Sequence, residues 1–192
     1  MSPRLAVIIG STRPGRIGPK VAEWFAAIAR TDGRFEVDVV DLADFGFPME
    51  MGLGAPRMGH YHPNAMAFAE RVGKADAFAF VTPEYNHGYP ASLKSALDAI
   101  YKEWTLKPAT FVSYGGASGG LRAIEQLRQV AAELHIHDIQ ASVSIPFVFG
   151  AFNEDGSLKD AVATESAQAV FDQLAWWSNA LKVGRKTSPF KP

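Results

Sequence analysis

Short apolar segments that are typical of buried strands alternate with helical patterns along the chain. Leu5–Ile9 is almost continuously apolar, as expected for a strand covered on both faces. Around Val37, apolar and polar residues alternate, which predicts a strand nearer an edge. The pattern predicts five strands, which centre on residues 5–9, 35–39, 77–82, 110–113 and 139–145. Helical spacing of apolar residues predicts five helices, over residues 19–29, 66–74, 91–103, 121–134 and 160–181.

Repeated strand–helix units form a parallel sheet with helices on both faces, so we predict a single α/β domain. Two segments fall outside the alternation. Residues 43–64 are rich in Gly and Pro, and a loop of this length commonly acts as a lid or an interface segment. Residues 184–192 are predicted as a frayed tail, so the predicted domain spans residues 1–183.

The composition narrows the function classes. With 47% hydrophobic residues, 20% charged residues and a net charge of −1, the chain is unlike a nucleic-acid or anionic-membrane binder. Cysteine is absent, which excludes disulfides and thiol catalysis, and His60, His62, His135 and His137 lack a third ligand nearby, so we predict no metal site. We recognise no signal peptide and no apolar run long enough to span a bilayer, so we expect a cytoplasmic protein.

Three loops follow predicted strands and would meet at the carboxyl edge of the sheet, where open parallel sheets bind ligands. Residues 10–18 lead into a helix N-terminus, whose unpaired N–H groups and dipole attract phosphate. Residues 83–90 and 113–120 offer aromatic rings and exposed backbone amides. A single Gly-rich turn is often only structural, but three at one edge favour a site for a phosphorylated planar ligand.

The first loop lacks what other phosphate motifs require. Arg16 and Ile17 stand where a P-loop has Lys followed by Ser or Thr, the residues that bind the γ-phosphate and magnesium. Ser11 and Thr12 replace the second glycine of the dinucleotide fingerprint, and Asp41 alone is a weak acidic signal. A monophosphate therefore suits this loop better than a triphosphate or a pyrophosphate.

A hydrolase is the main rival interpretation, because the residues around Ser118 match the Gly-x-Ser-x-Gly nucleophile elbow. The acid and the histidine of such a triad follow the serine in that order. Here the last histidine is His137, and the carboxylates before it, Glu125 and Glu133, lie on the helix directly after the serine. These positions cannot assemble a triad, which argues against a hydrolase.

Taken together, the loops resemble those of the NAD(P)H-dependent FMN reductases, flavodoxin-like flavoproteins that include quinone, azo-dye and chromate reductases. The resemblance covers about residues 4–145. It is carried by Gly10–Arg16, Pro83–Gly88, Leu93, Lys94, Asp98, Gly115 and Gly116. It implies a three-layer sandwich with sheet order 2-1-3-4-5, FMN as the cofactor, and NADPH or NADH as co-substrate.

The resemblance also implies where FMN binds. It places the phosphate on residues 11–18, with Ser11 and Arg13 as side-chain ligands and with the N–H groups of Arg16, Ile17 and Gly18. Many relatives carry a hydroxyl or amide side chain near position 18. Because Gly18 has no such side chain, we expect the phosphate to be bound more by backbone amides and by Arg16. The isoalloxazine is expected between two rims, formed by Pro83, Glu84, Tyr85, Asn86, His87 and Gly88 and by Ser113, Tyr114, Gly115, Gly116 and Ser118.

The implied chemistry belongs to the flavin, so no side chain is an obligatory catalytic acid or base. We predict a ping-pong cycle in which NAD(P)H and then a quinone-like acceptor occupy the same flavin face. Two alternatives stay open. A flavodoxin-type electron carrier is usually strongly acidic, unlike this chain, and a flavin- or nucleotide-binding regulatory protein is excluded only by turnover.

The resemblance implies a homodimer or homotetramer across helix 91–103. Tyr101 and Trp104 add more apolar surface than one face of that helix needs to bury against the sheet. The simpler interpretation is that these two rings pack against loop 43–64.

Overall fold

A parallel sheet forms the centre of the protein in a computed structural model, which describes residues 2–48, 55–188 and 190. Its strands are β1 (Arg4–Ile9), β2 (Glu36–Asp41), β3 (Ala77–Pro83), β4 (Pro108–Tyr114), β5 (His137–Asp138) and β6 (Val143–Ile145). The order is β2-β1-β3-β4-β5, and β6 also pairs with β4. This is the flavodoxin-like order, so the predicted fold is confirmed.

The register brings the carboxyl ends of the strands to one level. Ile9 lies beside Asp41 of β2 and Val81 of β3, and Tyr114 of β4 lies between Pro83 and Ile145. The segments that follow β1, β3, β4 and β6 therefore emerge at the same edge of the sheet.

Five helices cover the sheet: α1 (Gly18–Asp32), α2 (Pro63–Gly73), α3 (Ala91–Ala99), α4 (Leu121–Glu133) and α5 (Ala161–Thr187). Helices α1 and α5 pack on one face, and α2, α3 and α4 pack on the other. Successive strand side chains point to opposite faces. Leu5 and Val7 of β1 accordingly join one core, and Ala6 and Ile8 join the other. None of the described helices has the length and apolar character of a membrane span.

The predicted single strand over residues 139–145 is wrong, because β6 occupies only Val143–Ile145 and an irregular segment separates it from β5 at His137–Asp138. Side chains bond the backbone of Ala141 in that segment. The Thr110 hydroxyl donates to the Ala141 carbonyl at 2.9 Å, and the Ala141 N–H donates to Gln173 Oε1 at 3.1 Å. Because both backbone groups of Ala141 are bonded to side chains, this residue can leave the strand pairing without an unpaired polar group.

Two helix ends also differ from the prediction. Helix α3 ends at Ala99 instead of residue 103, and the Trp104 indole N–H donates to the carbonyl of Leu97 at 3.1 Å in its last turn. Helix α5 continues to Thr187, into the segment that was predicted as a tail. Arg185 anchors this last part, because its guanidinium donates to Asp76 and to the carbonyl of Leu106.

Loop 43–64 contains more regular structure than predicted, with 3₁₀ turns at Leu42–Asp44 and Pro56–Met58 and the start of α2 at Pro63. Residues 49–54 of this loop lie outside the described residues. Trp104 is fully buried in the core, and the Arg57 guanidinium of the loop lies 5.5 Å from the centre of the Tyr101 ring. Tyr101 thus contacts the loop, as the simpler interpretation requires, whereas Trp104 packs against Phe68 of α2 and against Phe78 and Phe80 of β3 instead of the loop.

Candidate functional site

Four loops at the carboxyl edge of the sheet surround a cavity of about 350 Å³, a size usual for small-molecule sites. The loops follow β1, β3, β4 and β6. The cavity is lined by Arg13, Pro14, Gly15, Arg16, Ile17, Pro83, Glu84, Tyr85, Tyr114, Gly115, Gly116, Val148 and Phe149.

The sequence-predicted residues fall into two groups. Those that line the cavity are Arg13, Arg16, Ile17, Pro83, Glu84, Tyr85, Tyr114, Gly115 and Gly116. Those that do not line it are Ser11, Gly18, Asn86, His87, Gly88, Ser113 and Ser118. The residues of the second group support the loops, as the contacts below show, except Gly18, which begins α1.

The first loop is tied to the second through Ser11. This side chain is fully buried, and its hydroxyl hydrogen-bonds the Tyr85 hydroxyl at 2.8 Å. The Arg13 guanidinium lies 5.7 Å from the centre of the same Tyr85 ring. The Arg16 guanidinium forms an ion pair with Asp41. Ser11 therefore positions the loop, while the two arginines bring positive charge to the cavity.

The N-terminus of α1 presents hydrogen-bond donors at this end of the cavity. Its capping residue, Ile17, offers no side-chain acceptor, and no acidic residue lies in the first turn. The Arg16 N–H donates to the Arg13 carbonyl at 3.2 Å, but the Ile17 and Gly18 N–H groups have no acceptor within the part of the chain that the structure describes. Free N–H donors and a helix dipole are the features that anion sites at helix N-termini share.

The second loop is a two-residue hairpin. The backbones of Tyr85 and Gly88 exchange hydrogen bonds of 2.8 and 3.1 Å. Asn86 and His87 at its tip have φ angles of 48° and 76°, a left-handed conformation that is costly for a non-glycine residue. Gln126 of α4 donates to the His87 carbonyl at 3.0 Å and so holds the tip in place.

A buried carboxylate joins the second loop to the third. The Glu84 side chain is only 5% exposed, pairs with Arg122 of α4, and accepts from the Ser118 hydroxyl at 2.9 Å. Burial by itself raises the pKa of Glu84, but the hydrogen bonds from Arg122 and Ser118 outweigh it and hold the pKa below its usual value. Ser118 is thus bonded to Glu84 and Arg122 instead of a histidine, which argues further against a hydrolase.

The third loop needs its glycines. Gly120 has a φ of 89°, and a Cβ there would lie 2.7 Å from Ser113 Cβ. The Ser113 hydroxyl is buried and donates to the Gly119 carbonyl at 2.8 Å, so it builds the loop. The carbonyls of Gly115 and Gly116 accept from the fourth loop at 3.1 and 3.0 Å, which fixes the third and fourth loops to each other.

The fourth loop is the part of the site that the sequence interpretation missed. Val148 is buried in the cavity wall, whereas the Phe149 side chain is 88% exposed at the cavity rim. A signal was present, because Pro146–Phe149 follows a strand at the same edge as the other three loops. Treating residues 139–145 as one strand hid the fact that another loop begins after β6.

Two buried polar atoms at the cavity lack partners. Arg16 Nε and Tyr114 Oη hydrogen-bond no group among residues 2–48, 55–188 and 190. Burial raises the pKa of Tyr114 well above its usual value, so this hydroxyl keeps its proton. Within the same described ranges, no cluster of three or more His, Asp or Glu side chains is arranged to hold a metal ion.

The sequence profile of NADPH-dependent FMN reductases matches residues 3–150, which include all four loops. The chain belongs to the NADPH-dependent FMN reductase family. The family predicted from the three loops is therefore confirmed, and membership supports a reductase over an electron carrier. The match ends before α5, so the last helix lies outside the segment that defines the family.

Several known proteins are similar to this chain over most of its length. An NAD(P)H-dependent FMN reductase of Schizosaccharomyces pombe is 42% identical over 70% of this chain and 68% of its own length. An NAD(P)H:quinone oxidoreductase of Solanum tuberosum is 32% identical over 95% of both chains. The solved flavoenzyme NAD(P)H:(acceptor) oxidoreductase FerB of Paracoccus denitrificans superposes with a TM-score of 0.73 at 23% identity, over 93% of this chain and 98% of its own, which supports the fold.

Proposed function

We propose that this protein is an FMN-dependent NAD(P)H oxidoreductase that reduces quinones or related small acceptors. The observation that carries the proposal is the cluster of unpartnered donors at one end of the cavity. It comprises the N–H groups of Ile17 and Gly18, Arg16 Nε and Tyr114 Oη. A phosphate oxygen is the acceptor that such a group of donors at a helix N-terminus suits.

The rest of the cavity suits the flavin ring. Pro83 and Tyr85 line it from the second loop, and Gly115 and Gly116 line it from the third, where the missing side chains allow a flat ring to approach the backbone closely. When bound, FMN would supply the redox chemistry, which is hydride and electron transfer between NAD(P)H and an acceptor. The protein's own part is to bind and orient, with Arg13 and Arg16 opposing the charge of the phosphate.

Steady-state kinetics with reconstituted protein test this proposal. Purified protein is incubated with excess FMN, passed through a desalting column, and assayed with NADPH and NADH in turn against benzoquinone. We expect retained flavin, NAD(P)H oxidation that depends on the quinone, and the parallel double-reciprocal plots of a ping-pong cycle. Absence of both flavin retention and quinone-dependent oxidation would contradict the proposal.

The relatives' names support quinone-like compounds as the class of acceptor. Assays with a panel of quinones, nitroaromatic compounds and chromate would identify the individual acceptor. We also propose a homodimer or homotetramer, since the Phe147 and Phe149 side chains are 70% and 88% exposed in the loop after β6. Sedimentation over a range of concentrations tests this, and a monomer throughout would overturn it.

Two further expectations from the sequence stand as proposals. We propose that the sheet and its two helical layers form one domain, which ends with α5 instead of at residue 183, and a single cooperative unfolding transition would support it. We also propose a cytoplasmic location, which imaging of a tagged chain tests.

A further inference from the structure

Gly18 and Tyr114 share one small space at the N-terminus of α1. A Cβ at Gly18 would lie 2.7 Å from Tyr114 Oη and 3.2 Å from Ile9 Cγ2, so no side chain fits while the hydroxyl is there. Tyr114 is the last residue of β4, and its side chain lies in the core layer that also contains α1. The tyrosine hydroxyl thus occupies the position beside the helix terminus that a side chain at residue 18 would otherwise fill.

This hydroxyl is buried without a partner. Tyr114 is only 3% exposed, and its Oη bonds to no group in the described ranges. A buried hydroxyl without a partner destabilises a protein, so its retention beside a cavity points to a ligand that completes the bond. Arg16 Nε is also buried and unpartnered, and Arg16 lines the same cavity. Two unpartnered donors, one from the first loop and one from the end of β4, therefore belong to residues that line the same cavity.

We propose that the Tyr114 hydroxyl donates a hydrogen bond to the phosphate of bound FMN and makes this end of the cavity selective for a phosphorylated flavin. The inference rests on the proposed function. It moves Tyr114 from the isoalloxazine rim, where the resemblance placed it, to the phosphate end. The backbones of Gly115 and Gly116 keep their place at the ring end.

Tyr114→Phe tests the inference in equilibrium titrations with FMN and with riboflavin, which lacks the phosphate. We expect the Kd for FMN to rise about tenfold, equivalent to about 1.4 kcal/mol, and the Kd for riboflavin to stay unchanged. We also expect the flavin-free variant to unfold at the same temperature as the unsubstituted protein or at a higher one, because an unpartnered buried group has been removed. An FMN-to-riboflavin affinity ratio equal to that of the unsubstituted protein would overturn the inference.

Tyr61→Phe is the matched control. The Tyr61 hydroxyl lies outside the cavity lining and donates to Glu103 at 2.6 Å, so its removal should lower the unfolding temperature without changing the affinity ratio. If Tyr61→Phe changed the ratio as much as Tyr114→Phe, the ratio would not report the phosphate contact and the inference would fail. Failure of the unsubstituted protein to bind either flavin would overturn the proposed function itself. Equal binding of both flavins would overturn only the phosphate contact.

A double variant tests the shared space directly. Gly18→Ser alone places a Cβ against the hydroxyl and should weaken FMN binding. In the Tyr114→Phe background the nearest ring carbon, Tyr114 Cζ, is 3.7 Å from that Cβ, so the new serine hydroxyl can donate in place of the tyrosine. We expect Gly18→Ser to restore FMN affinity in this background only. Equal effects of Gly18→Ser in both backgrounds would contradict the shared position.

Discussion

The two edges of the sheet differ in whether their charged and polar side chains have partners within the protein. At the amino edge, Asp76 accepts from the Arg4 N–H at 3.1 Å and from Lys182 at 2.8 Å, and it also pairs with Arg185. The buried Lys107 there donates to the Gly73 carbonyl at 3.1 Å. The charged groups of this edge are thus bonded to partners within the protein.

At the carboxyl edge, donors are left without partners at a cavity. Arg16 Nε and Tyr114 Oη line it, whereas the other unpartnered buried atoms in the described residues, Thr105 Oγ1 and Ser178 Oγ, belong to residues outside its lining. Unpartnered groups that meet at a cavity mark a binding site, and paired charges mark a structural network. Substitutions at the amino edge should therefore change stability, and substitutions at the carboxyl edge should change flavin affinity.

The largest effect is expected from Asp76→Ala. This change leaves Lys182 and Arg185 without their carboxylate, so we expect the free energy of unfolding to fall by about 3 kcal/mol, with FMN affinity unchanged. Urea unfolding and FMN titration measure the two quantities. Glu70→Ala is the control, since Glu70 pairs with Lys74 on an exposed helix surface and its loss should leave stability unchanged. A fall in FMN affinity for Asp76→Ala would contradict the claim that the amino edge determines stability alone.

A somewhat smaller effect concerns Lys107 and pH. Burial lowers the pKa of Lys107 to about 8, below its value in the unfolded chain. Above pH 8 the folded protein therefore loses a proton that the unfolded chain still holds, and stability gains about 2 kcal/mol by about pH 10. Lys107→Met should remove this rise, which urea unfolding at several pH values measures. If the stability of the variant still rose above pH 8 as in the unsubstituted protein, Lys107 would not be its cause.

The smallest effect is expected at Glu84, which fixes the second loop to the third. Glu84→Gln removes the ion pair with Arg122, so we expect FMN affinity to fall about tenfold, or about 1.4 kcal/mol. Glu125→Gln on the same helix is the control, because Glu125 is exposed and lies 4.0 Å from Arg128. Equal FMN affinities for the two variants would show that Glu84 does not position the cavity.

The fold and the location of the site could be predicted from the sequence because they depend on local patterns. Apolar strands such as Leu5–Ile9 and the helices between them indicate a parallel sheet, and such a sheet brings its loops to one edge. The roles of individual side chains depend on distant contacts. Ser11 and Ser113 look like ligands beside glycines, but Tyr85 and the Gly119 carbonyl engage their hydroxyls.

Contacts between residues far apart in the chain also explain the errors at the ends of elements. Helix α5 extends to Thr187 because Arg185 reaches Asp76, a residue that precedes β3. The position of the Tyr114 hydroxyl beside Gly18 likewise depends on a contact between the end of β4 and the N-terminus of α1, which are far apart in the chain. No periodicity within either segment carries that information.

The most direct test of the central claim, that the carboxyl edge holds a redox-active FMN, is anaerobic reduction of the reconstituted protein. NADPH or NADH is added without an acceptor while the visible absorbance of oxidised flavin is followed, and benzoquinone is added afterwards. We predict that the absorbance is lost on addition of the nucleotide and returns on addition of the quinone. Absorbance that both nucleotides leave unchanged would contradict the account.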